Sequence, residues 1–382
     1  MGPLAGYKII EIAGIGPGPF CGMLLSDMGA EVIRVERKSA SKQGPRPIDV
    51  DQRGRRSIAL NLKSQEGVET LLRLVESADA VYEGFRPGVV ERLGIGPEQC
   101  LARNPKIVYG RMTGWGQDGP MAQAAGHDIN YIALSGALEQ IGRQGEKPVP
   151  PLNLLGDYGG GAMFLAFGMV CALLEAQKSG KGQIVDTAMV DGAAALMAFY
   201  YPFNHMGLMQ ERGTHFLSGY HHSYDTYETK DGKYISVGAL EPQFYQELID
   251  KMGLDGEKFS GKTVFNFAVP PDELNQLKVE ITEVFKSKTR DEWCEILEGT
   301  DACYAPVLNI KEAAEHPHNK ERNTFIEREG VLQHNAAPRF SRTVAEVGIA
   351  PRYAGEDTHA VLRDFGFTDS EIAALNENGV LC

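Results

Sequence analysis

Gly126-His127-Asp128-Ile129-Asn130-Tyr131 is followed, thirty residues after His127, by Asp157 in the run Leu154-Leu155-Gly156-Asp157-Tyr158-Gly159-Gly160-Gly161. The pair offers an imidazole and a carboxylate of different basicity, each at an expected helix start. Moving a proton from one face of a carbon to the other needs two groups that exchange acid and base roles near neutral pH. Histidine and a tuned carboxylate meet that need. Each residue also has a plainer reading: His127 as a hydrogen-bonded histidine opening a helix, Asp157 as the N-cap of an apolar one, since aspartate ahead of three glycines is what capping favours. The readings are compatible, because a helix N-terminus gathers amide donors and positive dipole where an enolate oxygen would be stabilised.

The elements that must hold this pair read as an alternating α/β pattern. Lys8 to Ile12 is an expected strand, Phe20 to Met28 a helix closed by Gly29, and Ala30 to Glu36 a second strand, giving a βαβ opening. A helix from Glu66 to Glu76, a strand at Ala80 to Tyr82, a short helix from Pro97 to Arg103 and a strand from Lys106 to Arg111 continue the alternation, which implies a parallel sheet covered on both faces. Asp157 stands just ahead of a helix from about Ala162 to Gln177; Gln183 to Asp186 is an expected strand and Met189 to Met206 a long apolar helix leading out of the first domain. Tyr224 to Thr229 and Lys233 to Val237 flank Lys230-Asp231-Gly232, a strong hairpin signal. A helix (Glu241 to Met252), a polar helical region (Asp272 to Leu297) and a strand-like Ala305 to Leu308 complete a smaller α+β domain, and the tail carries the capping box Thr368-Asp369-Ser370-Glu371. The expected division is a large domain over 1–200, completed by a tail from about 330 to 382, a connector over 201–220 and a small domain over 221–325.

Composition narrows the function. At 382 residues, 43% apolar and 23% charged, the chain can bury a full core in more than one domain. A net charge of −13 argues against a nucleic-acid or membrane-surface role and confines any anion site to a local patch. Six cysteines lie scattered without Cys-x-x-Cys spacing, so neither a zinc site nor a disulfide framework is indicated and a reducing cytoplasm is the expected compartment. No signal pattern opens the chain, no peroxisomal Ser-Lys-Leu address closes it, and the most apolar stretch, Gly161 to Leu174, reads as too short to span a bilayer.

Gly14-Ile15-Gly16-Pro17-Gly18-Pro19 after a strand imitates a dinucleotide fingerprint, but its glycine spacing is wrong and its prolines remove amide donors. It reads instead as a glycine-rich turn lining some other site. Basic residues gather as Arg34, Arg37 and Lys38, as Arg53, Arg55, Arg56 and Lys63, and as Arg86 and Arg92. Singly each suits a solvated surface. Together, placed after strands of a doubly wound sheet, they suit a phosphorylated ligand.

These motifs, with Arg86-Pro87-Gly88, Glu91-Arg92-Leu93-Gly94, Thr113-Gly114-Trp115-Gly116-Gln117, Pro151-Leu152-Asn153-Leu154, Gly180-Lys181-Gly182-Gln183 and Glu241-Pro242-Gln243-Phe244-Tyr245, resemble the α-methylacyl-CoA racemases of the family III CoA-transferase superfamily over nearly the whole chain. The resemblance implies a Rossmann-like large domain with a parallel sheet and a smaller α+β domain, in an interlocked homodimer with active sites shared between subunits. It implies that His127 serves the S face and Asp157 the R face of the α-carbon of a 2-methylacyl-CoA, that the reaction passes through an enolate, and that no metal or redox cofactor takes part, coenzyme A being part of the substrate. Glu241 would orient His127, and the shared sites allow it to come from the partner subunit. Arg37, Ala59, Leu60, Asn61, Leu62, Arg92, Gly126, Asp128, Ile129, Asn130 and Tyr131 would hold CoA, with Asn153 and Tyr224 also at the substrate.

The chain departs from the family at Leu217-Ser218-Gly219-Tyr220-His221-His222-Ser223, which replaces an acid-containing, glycine-rich segment and adds two histidines. That bears on substrate range, and it raises an adventitious metal site as a possibility against which the adjacency of the two histidines counts. Two other readings stand beside the racemase: a CoA-transferase whose Asp157 attacks an acyl-CoA to give a mixed anhydride, and a catalytically silent acyl-CoA-binding protein. His127 weighs against the transferase, because superfamily transferases lack that histidine.

Overall fold

A computed structural model describes residues 2–37, 48–209 and 211–381; Lys38 of the first basic group and Cys382, one of the six cysteines, lie outside them. The chain forms two compact units. The first comprises 1–135, 151–197 and 323–382, and the second 136–150 and 198–322.

The first unit is built on Lys8–Ile12 (β1), Glu31–Arg37 (β2), Arg55–Leu60 (β3), Ala80–Glu83 (β4), Val108–Thr113 (β5) and Ile184–Ala188 (β6). These strands form one parallel sheet in the order β3-β2-β1-β4-β5-β6. Alternate residues serve opposite faces. Ile10, Ile33, Ile58, Val81 and Tyr109 pack under Gln65–Val75 (α2), Val89–Leu93 (α3), Pro97–Arg103 (α4) and the C-terminal tail. Ile9, Val32, Ala80, Val108 and Met112 pack under Pro17–Asp27 (α1) and Met163–Ser179. Strand order reverses between β1 and β4, so the carboxyl ends of those two strands diverge and leave a crevice, the usual ligand position in such sheets.

Helix Asp128–Leu134 (α5) follows β5, and Ala137–Gln140 (α6) belongs to the second unit. Leu154–Ala162 is a π-helix that runs directly into Met163–Ser179 (α7), and Met189–Leu196 (α8) follows β6. Two expectations change here. The continuous helix over Leu154–Ser179 is 26 residues, long and apolar enough by length and composition to cross a membrane. It is nonetheless a helix of the first unit, its face of Leu165, Met169, Ala172 and Leu173 buried against the sheet. The expected long helix from Met189 to Met206 is interrupted: α8 ends at Leu196 and Tyr201–His205 (α9) begins afresh with Pro202 near its start, a residue that cannot continue a preceding helix.

The tail seals the sheet edge at β3. The Asp357 carboxylate accepts the Ser57 amide, the Thr358 hydroxyl accepts the Ala59 amide at 3.1 Å, and the Val380 carbonyl accepts the Asn61 amide at 2.9 Å. The capping box forms as expected, with the Glu371 amide donating to the Thr368 hydroxyl and the Thr368 amide to the Glu371 carboxylate.

In the second unit, Tyr224–Glu228 (β7), Tyr234–Gly238 (β8) and Tyr304–Pro306 (β9) form an antiparallel sheet, with the expected hairpin at Lys230–Gly232. Helix Pro242–Met252 (α10), Pro271–Phe285 and Arg290–Leu297 supply its core partners, among them Leu248, Phe285 and Trp293. The end of the departing segment, His221 to Ser223, is buried, with His222 against Tyr245 and Phe259 of this core. His221 and His222 are buried, their rings tilted face to face at 4.2 Å; His222 Nε2 pairs with the Tyr245 hydroxyl at 2.7 Å, and the His222 carbonyl accepts the Tyr227 hydroxyl. Burial pulls both imidazoles well down, to about 4 for His221 and about 2 for His222. They are neutral packing groups, and among the described residues no group of three or more metal-binding side chains forms.

Candidate active site

The crevice at the carboxyl ends of β1, β4 and β5 is a cavity of about 440 Å³. Each wall follows from a strand end. After β1 comes the Gly14–Gly18 turn, in which Gly16 adopts φ 70° and Pro17 opens α1, so this turn forms a wall of the cavity. After β4 come Gly84, Phe85 and Arg86; the Glu83 carboxylate accepts the Phe85 amide at 2.6 Å, which fixes that turn. Burial pushes Glu83 up to about 7, against the pull of Arg111. After β5 come Gly114 and Trp115, and Met189 closes the space after β6.

His127 and Asp157 both face this cavity, together with Gly126 and Tyr131. His127 is the exposed N-cap residue of α5, its amide donating to Asn130 Oδ1 at 3.0 Å. Tyr131 is buried edge-on to Trp115, ring centroids 4.8 Å apart, and its hydroxyl donates to the Gly126 carbonyl, which ties the segment ahead of His127 to α5. Asp157 is half-buried and lies near Gly16: a Cβ on that glycine would stand 3.4 Å from Asp157 Oδ2. Its carboxyl is held above the usual range by burial first and by the Asp128 charge next, partly offset by an Asn153 hydrogen bond and by His127. A carboxyl moved in that direction is a better partner for histidine in exchanging a proton near neutrality.

Asp157 is not a helix N-cap. It sits inside the π-helix, an irregularity frequent at functional sites, and the three glycines beside it serve close packing: a Cβ on Gly160 would meet the Ala193 amide nitrogen at 2.6 Å, and one on Gly192 of α8 would meet the Gly160 carbonyl at 1.9 Å. The amides expected there for an enolate are also taken. Those of Gly156 and Asp157 donate to Asp128 Oδ2 at 2.7 Å each, and that of Tyr158 donates to the Asn153 carbonyl.

The basic residues divide sharply. Arg53 is buried and clamps Asp27, its Nη2 at 2.6 Å from Oδ2; Arg55 is buried against Glu11 at 3.1 Å; Arg34 lies within 3.9 Å of Glu11; Arg56 pairs with Glu31 and Asp364. These hold the fold. Arg37, Lys63, Arg86 and Arg92 have no carboxylate partner among the described residues and remain open to an anion, with Arg86 on the cavity wall. Ala59 and Leu60 are buried with the Ala59 amide already bonded to the tail, whereas Asn61 and Leu62 are half-exposed. Ile129 and Asn130 are exposed on α5, and Asn153 directly precedes the π-helix. Glu241, at the N-cap of α10, and Tyr224, at the start of β7, belong to the second unit. Gly16, Arg86 and Met189 line the cavity without having been singled out as site residues; the sequence signal for the first two was present in the glycine turn and the third basic cluster.

A family model described as CoA-transferase family III matches residues 4–358. The α-methylacyl-CoA racemase of Mus musculus is 45% identical, the match covering 99% of this chain and 97% of the mouse protein. That of Homo sapiens is 40% identical, with 99% and 97% covered. A crystal structure of a CAIB/BAIF family protein from Brucella suis superposes with a TM-score of 0.81 at 26% identity, covering 95% of this chain and 99% of that one.

Proposed function

The chain belongs to CoA-transferase family III, and from that membership and the cavity shared by His127 and Asp157 we propose that it is an isomerase, an α-methylacyl-CoA racemase that interconverts the R and S forms of 2-methylacyl-CoA thioesters. The observation that carries the reading is the placement of two bases of unlike chemistry on one cavity at the switch point of the sheet. A thioester acidifies the α-proton enough for a side-chain base. One residue removes it, an enolate forms, and the conjugate acid of the other returns a proton to the opposite face. His127 serves the S face and Asp157 the R face; the reaction calls on no metal or redox group, coenzyme A being part of the substrate.

With the Gly156, Asp157 and Tyr158 amides taken, the enolate oxygen is assigned to the Asp128 amide beside His127, which has no acceptor among the described residues. Arg37, Arg86 and Arg92 are assigned to the anionic groups of CoA, with Asn61, Leu62 and the outer residues of the 126–131 segment along it. Homodimerisation is supported by apolar side chains left exposed on the first unit, with Phe167 71% and Leu174 51% accessible. In that assembly Glu241 orients His127 across subunits. The five described cysteines are all unpaired, which suits a reducing compartment such as the cytoplasm.

The test is incubation of a single 2-methylacyl-CoA epimer in D₂O. The expected result is α-deuterium in both epimers; recovery of the starting epimer without deuterium refutes the reading.

A further inference from the structure

Asp128 is a carboxylate with only 8% of its surface exposed, at the first helical position after His127. Its Oδ2 accepts both the Gly156 and the Asp157 amides, and its Oδ1 is buried without a hydrogen-bond partner. Gly156 permits the approach, since a Cβ there would fall 2.5 Å from Oδ2. We propose that Asp128 is the positioning residue of the Asp157 base: its buried carboxylate ties the start of the π-helix to the helix that begins at His127, and so fixes both where Asp157 stands and the field in which it titrates. This rests on the two-base reading and assigns Asp128 a part other than holding CoA.

The two bonds join the residue after His127 directly to the backbone of Gly156 and Asp157, so one side chain links the segments that carry the two bases. The charge adds a second effect. The groups acting on Asp157 are Asp128, His127 and Tyr131 from α5 and Asn153 and Tyr158 from its own segment; the turn at Gly16 brings only backbone, and Arg86 on the cavity wall acts on Tyr131. Among these Asp128 is the anion that opposes ionisation of Asp157 most strongly, second only to burial.

Asp128→Asn separates the two effects, because the amide oxygen can still accept both N–H donors while the charge is gone. The Asp157 carboxyl, followed by ¹³C NMR and identified by its loss in Asp157→Asn, should titrate at lower pH in Asp128→Asn than in the wild type. The acid limb of the deuterium-exchange rate should move the same way, with KM for the acyl-CoA unchanged. Asp128→Ala, which loses both bonds, should lower kcat about a hundredfold, the scale of an ångström-sized misplacement, and Asp128→Asn should restore most of that. An unmoved Asp157 titration in Asp128→Asn overturns the proposal, as does wild-type kcat in Asp128→Ala or a raised KM at unchanged kcat. Failure of the wild type to exchange the α-proton would instead overturn the racemase reading, while the titration still decides the role of Asp128.

Discussion

Gly114→Ala adds one methyl group at the point where the His127 segment is braced. A Cβ on Gly114 would lie 2.0 Å from Tyr131 Cε1 and 2.5 Å from its hydroxyl. Ordinary carbon contacts begin near ~3.5 Å, so the ring must retreat by about 1.5 Å, the difference between those distances. It has little room: Tyr131 is 7% exposed, Trp115 meets it edge-on, and Gly126 crowds the same ring edge, since a Cβ there would come within 2.7 Å of Cε1. Overpacking of this kind costs about 1–3 kcal/mol. Because the Tyr131 hydroxyl bonds the Gly126 carbonyl, the retreat also drags the residue before His127. A displacement near 1 Å at a reacting group costs about a hundredfold in rate. Urea unfolding and the deuterium-exchange assay read the two effects separately, and adding Tyr131→Leu should recover part of the stability by vacating the space. A Gly114→Ala protein with wild-type stability and wild-type exchange would refute the bracing argument. One with normal stability but slow exchange would show that the ring moves freely and that only the His127 linkage matters.

Two further predictions concern the bases and the second unit. His127→Ala should still exchange deuterium into the R epimer and Asp157→Ala into the S epimer, with inversion in each slowed at least about 10²- to 10⁴-fold; chiral analysis of the recovered thioesters checks this, and undiminished racemisation by folded His127→Ala would void the two-base assignment. The buried histidines set an acid limit on stability. Unfolded, His221 binds a proton below its ordinary 6.5, whereas folded it does so only near 4, so stability is complete above 6.5 and is lost as pH falls from there through 4. That loss is on the order of 3 kcal/mol, with His222 acting in the same direction. Urea midpoints between pH 7.5 and 5 should fall more steeply for the wild type than for His222→Gln, and equal slopes would remove His222 as a cause.

What the sequence made legible was local. The Thr368–Glu371 box and the hairpin at Lys230–Gly232 are complete within a few residues, so their chemistry can be read without knowing what lies beside them. The β1-α1-β2 opening announces itself by period alone. The π-helix does not, because the partners of its first turn are remote: an aspartate 29 positions before Asp157 that accepts two amides with no acceptor inside the helix, and the backbone of α8 pressed against Gly160. The same holds for the arginines. Arg53, Arg55 and Arg56 look like a phosphate patch until Asp27, Glu11, Glu31 and Asp364 arrive from other strands and from the tail. Charge read along a chain counts cations but not their partners.

That difference sharpens the assignment of the site. Each arginine neutralised inside the fold is one fewer available to a ligand, and three without a carboxylate partner among the described residues stand at this end of the sheet: Arg37 ends β2, and Arg92 and the cavity's own Arg86 follow β4. A parallel sheet brings the carboxyl ends of its strands to one edge, whichever residues occupy them. The same edge carries His127 after β5. An anionic carrier bound along it would therefore deliver a short thioester arm into the crevice between β1 and β4, where the one carboxylate whose basicity burial has raised without pairing it to an arginine is Asp157.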